Sequence, residues 1–158
     1  MNNRGFTIVE ILLVIVVIGI LATVSVVAYR GAQNKANDTA VQADLKNFGK
    51  RIEAFKIETG AYPSSADFTA TLGIKFSKGA YGVDSQGYNA RYCRNTTNDT
   101  YVMVSNSKSG NYFMVQTGAV VSSTASTDGY GVCSLVGVAS TNPNPNGYSV
   151  GGWAAWVK

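Results

Sequence analysis

Few residues in this chain could support chemistry, and their types argue against most catalytic mechanisms. The sequence of 158 residues contains no histidine and two cysteines, Cys93 and Cys133. Histidine is the usual proton shuttle near neutral pH and the commonest metal ligand, and two isolated cysteines fall short of a zinc site. No spacing of carboxylates or serines suggests an acid–base pair or an activated nucleophile. The composition therefore predicts neither an enzyme nor a protein that carries a metal or another cofactor.

One acidic residue is informative because of its surroundings. Glu10 directly precedes the segment 11–29, which has no charged residue and is dominated by Val, Ile and Leu. As a helix this segment would extend about 28 Å, close to the hydrocarbon thickness of a bilayer. A carboxylate at the edge of such a span is costly unless it is paired, and charged groups in this position usually serve a function.

Two simpler explanations of the apolar segment account for less. A secretory signal peptide has an apolar region of about 7–15 residues and then a cleavage site of small residues. Here the apolar stretch is longer, and neither Ala22-Thr23-Val24 nor Ala28-Tyr29-Arg30 fits such a site well. A simple membrane anchor explains the segment but gives Glu10 no role.

The residues before the apolar segment resemble a known processing signal. Gly5-Phe6-Thr7-Ile8-Val9-Glu10 follows a short polar leader and precedes an unbroken apolar stretch, and this arrangement is similar to the N-terminus of type IV prepilins. The resemblance implies that residues 1–5 are a leader peptide. It also implies that a membrane-embedded prepilin peptidase cuts between Gly5 and Phe6 and then N-methylates Phe6. The new N-terminus would stay cytoplasmic and the C-terminal domain would face outward.

The same resemblance implies a role for Glu10 and a set of partners. In a filament the apolar helices would bundle without water, and the α-amino group of one subunit and the Glu10 carboxylate of its neighbour would neutralise each other. Leaving one partner of a buried pair alone costs roughly 3–5 kcal/mol, so Glu10 is expected to direct subunit docking. The implied partners are other copies in a helical homo-oligomeric filament, the peptidase, and an inner-membrane assembly platform with its ATPase. Before assembly the chain would be a single-pass cytoplasmic membrane protein, and afterwards part of an extracellular pilus filament.

Beyond Arg30 the apolar pattern becomes amphipathic. Apolar residues recur at intervals of three and four, the periodicity of one helix face, at Val41, Leu45, Phe48, Ile52 and Phe55. No proline interrupts the preceding sequence, so one helix of about fifty residues is predicted, ending near Thr59-Gly60. This gives a filament-core helix at 6–29, an amphipathic helix at 30–60 and a head at 61–158.

The head is predicted to be the β-sheet part of an α+β, pilin-like fold. Alternation and turn signals predict strands at 90–94, 101–105, 112–116 and 153–157, with 118–121 extending the third. Three or four antiparallel strands would cover the apolar stripe of the helix. Within the last predicted strand, at least one of Trp153 and Trp156 is expected to pack in the core.

The end of the chain is rich in turn-forming residues and holds the second cysteine. Residues 122–147 are predicted to be a long exposed loop. In an exported domain an even pair of cysteines is more often a disulfide than two free thiols. Closing a loop of about 40 residues between Cys93 and Cys133 would contribute about 3–4 kcal/mol. Many pilins tie their C-terminal region with such a bridge.

Three functions of a filament subunit remain open from the sequence. The leading one is a type IV pilin that serves attachment, motility or DNA uptake. The second is a pseudopilin of type II secretion, although Asp128 is the one carboxylate side chain after Asp99, too few for the calcium loop that major pseudopilins carry. The third is a minor pilin that binds nucleic acid, against which stands the dispersal of basic residues among acidic ones. Three glycosylation sequons, at Asn37, Asn95 and Asn98, are of a kind common by chance.

Overall fold

The protein folds as one long helix followed by an antiparallel sheet. The computed structural model describes residues 5–64, 67, 72, 76–82, 88–123, 131–138 and 147–151. The chain forms two compact units, Met1–Lys35 and Ala36–Lys158.

Helix α1 spans Ile8–Thr59, which is 52 residues. Its predicted length and end are therefore confirmed. Gly60 ends it with a φ of +83°, a left-handed conformation that glycine adopts without steric cost, and its N–H donates to the carbonyl of Lys56 at 2.8 Å. By length and composition this helix is able to cross a membrane.

In the first unit, α1 is apolar and uncovered. Every described residue from Gly5 to Lys35 is exposed. In the second unit, α1 instead buries the predicted stripe: Val41, Leu45, Phe48 and Ile52 are fully buried, and Phe55 is partly buried against the same core.

In the described part of the chain, five strands form one sheet that packs on this stripe. They are β1 (Tyr88–Asn95), β2 (Thr100–Asn106), β3 (Tyr112–Gln116), β4 (Ala119–Ser123) and β5 (Gly147–Gly151). Their order is β4-β3-β2-β1-β5, and all neighbours are antiparallel. Residues paired across strands share a face, so Tyr92 and Met103 lie on the helix side, whereas Cys93 and Val102 lie on the opposite side.

The close approach of helix and sheet depends on a glycine. A Cβ atom at Gly49 would lie 3.0 Å from Cγ2 of Val115 and 3.3 Å from the hydroxyl of Tyr101. A larger residue there would push β3 away from the helix.

Three of the strand predictions are confirmed to within two residues, and the predicted extension of the third strand is wrong. Thr117 and Gly118 both have positive φ angles, +46° and +82°, which is the conformation of a two-residue hairpin turn. The chain therefore reverses, and β4 pairs beside β3 instead of continuing it. The predicted strand at 153–157, with Trp153 and Trp156, lies outside the described residues.

The predicted long exposed loop at 122–147 is wrong in its described parts. Strand β4 continues to Ser123, a short helix α2 occupies Gly131–Ser134, and β5 begins at Gly147. Val132, Cys133 and Val136 are buried against the face of the sheet opposite α1, where they form a second apolar cluster with Val102 and Val104. These apolar residues are spaced among polar ones, which is why composition alone indicated a loop.

Candidate processing and assembly site

The predicted cleavage position lies just outside the helix. Gly5, Phe6 and Thr7 are not helical, and α1 begins at Ile8. The Phe6 side chain is 84% exposed. The peptide bond between Gly5 and Phe6 is thus in non-helical, accessible chain, as a peptidase substrate requires.

Glu10 takes part in a reciprocal cap at the start of α1. The backbone N–H of Thr7 donates to Oε2 of Glu10 at 2.7 Å, and the Thr7 hydroxyl donates to the same oxygen at 2.9 Å. The N–H of Glu10 in turn donates to the Thr7 hydroxyl at 3.3 Å. This is a capping box, which satisfies two backbone donors that a helix start leaves open. Sequence reasoning missed it, although Thr7-Ile8-Val9-Glu10 carries its signature.

The cap uses only one of the two carboxylate oxygens. Within the described residues, Oε1 of Glu10 accepts no hydrogen bond, and the side chain is exposed. Phe6 and Glu10 border one open hollow whose other walls are apolar, including Val9, Leu13 and Val14. The structure therefore brings the predicted methylation and docking residues onto one surface at the start of the helix.

The surface that follows Glu10 is continuously apolar. Representative side chains along it are largely exposed: Leu13 at 64%, Leu21 at 61% and Val27 at 72%. Soluble monomers rarely expose apolar patches of this extent, and such patches mark contacts with membrane or protein.

The predicted disulfide lies in the other unit. Cys93 of β1 is bonded to Cys133 of α2, which confirms the pairing. Nearby, the side-chain amide of Asn95 donates to the carbonyl of Val136 at 2.8 Å. The bridge and this hydrogen bond hold α2 on the sheet. The hydrogen bond also engages the Asn95 amide, the group to which a glycan at this sequon would be attached.

Polar contacts attach loops of the head to helix α1 beside its buried stripe. The carboxylate of Asp38 accepts hydrogen bonds from the hydroxyl of Ser109 and from the side-chain amide of Asn111, the latter at 2.8 Å. Partial burial raises the pKa of Asp38, but hydrogen bonds from Ser107, Ser109 and Asn111 outweigh it and hold the pKa below its ordinary value. Asp38 is thus a carboxylate at neutral pH.

A second contact of this kind lies near the end of α1. Lys56 forms an ion pair with Asp99, and its ammonium lies 4.2 Å from the centre of the Tyr62 ring. The hydrogen bond with Asp99 is the main reason that the pKa of Lys56 is raised. Asp99 has a φ of +50°, so the turn between β1 and β2 is held against the helix by a residue in the left-handed region.

Three features define a pilin-like subunit. The N-terminal half of the long helix is apolar and exposed, and a capped carboxylate lies at its start. An antiparallel sheet packs on the other half of the helix. Comparison with known families agrees. Residues 1–26 match the prokaryotic N-terminal methylation motif, and residues 28–132 match the family described as type II secretion system (T2SS), protein G. The second match covers more than half of the chain, so the protein belongs to this family of pilins and pseudopilins.

The individual relatives include a component of a type IV pilus and core proteins of type II secretion systems. The type IV wide pilus major component PilA4 of Thermus thermophilus is 39% identical over 74 residues, which are 47% of this chain and 56% of that protein. Type II secretion system core protein G of Escherichia coli is 27% identical over 119 residues, 74% of this chain and 82% of that protein. The corresponding protein of Pseudomonas aeruginosa is 34% identical over 64 residues, 40% of this chain and 45% of that protein. No solved structure matches the chain.

Proposed function

We propose that this protein is the structural subunit of a type IV pilus, a filament for attachment, motility or DNA uptake, and that its activity is assembly. The observation that carries the proposal is the exposed apolar surface of α1 that begins at Glu10. Exposure of this apolar surface to water is unfavourable. The surface therefore requires contact with lipid before assembly and with the helices of other subunits afterwards.

Processing at the N-terminus would prepare the chain for assembly. A prepilin peptidase would cut between Gly5 and Phe6, and methylation would follow at the Phe6 nitrogen. The match of residues 1–26 to the methylation motif and the non-helical, exposed Gly5–Phe6 bond support this step. The Thr7–Glu10 cap keeps its partners in the shortened chain, because both residues lie after the cleaved bond.

Glu10 would then select the position of the next subunit. One carboxylate oxygen is held by Thr7, which fixes the side chain, and Oε1 remains open to the α-amino group of a neighbouring Phe6. In the dry interior of a helix bundle, an unpaired amine or carboxylate costs roughly 3–5 kcal/mol, so only a register that pairs them would be stable. The assembly platform and its ATPase would extract the subunit from the membrane into this register.

A second candidate is the pseudopilus of a type II secretion system. The match of residues 28–132 to protein G favours it, whereas the 39% identity to a pilus component over 74 residues favours a pilus. Deletion of the protein in its own host separates the two. Loss of long surface filaments with normal protein secretion supports a pilus, and loss of secretion without loss of surface filaments supports a pseudopilus.

Mass spectrometry of the N-terminus tests the shared part of both candidates. The protein is sheared from cells and separated from membranes before analysis. A chain that begins at methylated Phe6 and sediments with high-molecular-weight filaments is the expected result. An intact Met1 terminus confined to the membrane fraction would contradict processing and assembly together.

A further inference from the structure

A polar cleft in the head is not used by the proposed assembly. It has a volume of about 320 Å³ and lies between α1 and the β3–β4 edge of the sheet. Asp38 and Gln42 of the helix form one wall and Ser122 of β4 forms the other, with the buried ring of Phe113 at the sheet side. Its size is at the small end of the roughly 300–1,000 Å³ of ligand sites.

Some polar side chains of the cleft are hydrogen-bonded to each other, and others have no hydrogen-bond partner among the described residues. Asp38 and Asn111 are fixed, because the amide of Asn111 donates to the Asp38 carboxylate at 2.8 Å. The amide of Gln42 and the hydroxyl of Ser122 are exposed, and neither has a hydrogen-bond partner among the described residues. The cleft therefore offers an uncommitted amide, with two donors and an acceptor, opposite an uncommitted hydroxyl.

The chemistry of this lining disfavours anions and calcium ions. The described residues around the cleft include no lysine or arginine, so an anion would meet the Asp38 carboxylate without a compensating cation. A calcium ion needs several oxygen ligands and usually more than one carboxylate. Here there is one carboxylate, and both of its oxygens already accept hydrogen bonds, from Ser109 and Asn111.

We propose that this cleft binds a neutral saccharide. The hydroxyls of a sugar both donate and accept hydrogen bonds, which suits the Gln42 amide and the Ser122 hydroxyl on opposite walls. The fixed Asp38–Asn111 pair holds the helix and the β2–β3 turn in place around the ligand, and no net charge has to be neutralised. A sugar ligand also extends the protein beyond assembly to recognition of a surface.

The test uses the full-length chain, solubilised in detergent, on an array of neutral and acidic oligosaccharides. The wild type is expected to bind neutral glycans. The double variant Gln42→Ala/Ser122→Ala should bind roughly tenfold more weakly or worse, because two hydrogen bonds are lost. Neither residue is buried, so the thermal midpoint of the variant should match the wild type. Asn47→Ala, an exposed amide on the same helix but outside the cleft, is the matched control and should bind normally.

Four results would overturn the proposal. They are the absence of neutral-glycan binding, binding of acidic glycans alone, undiminished binding by the double variant, and titration of the wild type by calcium chloride with heat that the double variant lacks. A fifth concerns assembly, since Gln42→Cys that crosslinks neighbouring copies in sheared filaments would show that the cleft is a subunit contact. None of these results bears on N-terminal processing, so the proposed function would stand or fall separately.

Discussion

The two parts of helix α1 differ in how far their apolar side chains are exposed, although both parts have the same helical backbone conformation. In residues Ile8 to Val27 the apolar side chains are exposed, with Leu13 at 64% and Val27 at 72%. In the part of α1 that belongs to the second unit, the apolar stripe is covered: Leu45 and Phe48 are fully buried against the sheet, although Ile57 near the end of the helix is 84% exposed. One part buries its own apolar surface and the other does not.

This difference predicts that substitutions in the two parts of α1 affect different properties: the stability of the head in one case and filament assembly in the other. A change in the buried stripe acts on the folding of the head, because the lost contacts are within the chain. A change at an exposed apolar side chain of the first unit removes no buried packing within the chain, so its effect must appear when lipid or other subunits cover the helix. Each of the following variants tests this separation, from the largest expected effect to the smallest.

Phe48→Ala should give the largest loss of stability. Removing a fully buried ring leaves a cavity and should lower the free energy of unfolding of the head by roughly 3–5 kcal/mol. Ile15→Ala, at a side chain that is 54% exposed, should leave it unchanged. Denaturant unfolding of the detergent-solubilised chain, followed by near-ultraviolet circular dichroism, measures both. An equal loss in Ile15→Ala would contradict the separation.

Glu10→Gln should have the opposite pair of effects, with reduced filament assembly and unchanged stability of the head. Glutamine keeps an oxygen that can accept the bonds from Thr7, so the cap survives while the charge is lost. Filament yield should fall strongly, since an unpaired amine in the filament core costs roughly 3–5 kcal/mol, and head stability should stay the same. Sedimentation of sheared filaments, normalised to the amount of subunit in membranes, measures the yield.

Thr7→Val supplies the comparison for that experiment. It removes the capping hydroxyl, worth about 1 kcal/mol, and keeps the Glu10 charge. Its filament yield should therefore lie between the wild type and Glu10→Gln. A wild-type yield from Glu10→Gln would show that the carboxylate does not direct docking.

The disulfide should matter to the head alone. Replacing both cysteines, Cys93→Ser/Cys133→Ser, should lower the free energy of unfolding by about 3–4 kcal/mol, because the loop they close is no longer restrained in the unfolded chain. Dithiothreitol should lower the unfolding midpoint of the wild type to that of the double variant and leave the midpoint of the double variant unchanged. A midpoint of the wild type that does not respond to reduction would contradict this expectation.

Asp38 should give the smallest and most pH-dependent effect. Its pKa is lowered in the folded head, so its stabilisation is present above the unfolded-state value of about 3.9 and is lost as the pH falls through the folded value. Asp38→Asn should thus be less stable than the wild type at neutral pH, by less than about 1 kcal/mol for a partly exposed group. The difference should shrink below about pH 4. Glu58→Gln, at an exposed carboxylate of the same helix, is the matched control and should be as stable as the wild type at neutral pH.

Much of this protein follows from local sequence patterns. The length of α1 follows from uninterrupted helical periodicity and the final Gly60, and the buried stripe from the spacing of Val41 to Ile52. The pairing of the two cysteines follows from there being one pair in the chain, and β1 to β3 follow from alternation and turns. These features depend on neighbours in the chain, which a sequence displays directly.

Other features depend on contacts between distant residues, and only the tertiary structure decided them. In the sequence, Gly49 is simply a residue of low helix propensity. In the structure, Cγ2 of Val115 lies 3.0 Å from where a Cβ atom of residue 49 would be, so a larger side chain does not fit. Val132 and Val136 lie among turn-forming residues, and their burial requires the opposite face of a sheet built some thirty residues earlier. The sequence determined the match to the N-terminal methylation motif, the apolar helix and the stripe, because motif, periodicity and composition are properties of neighbouring residues. Which surfaces meet, and so which apolar residues are left for a membrane or another subunit, was decided by packing across the chain.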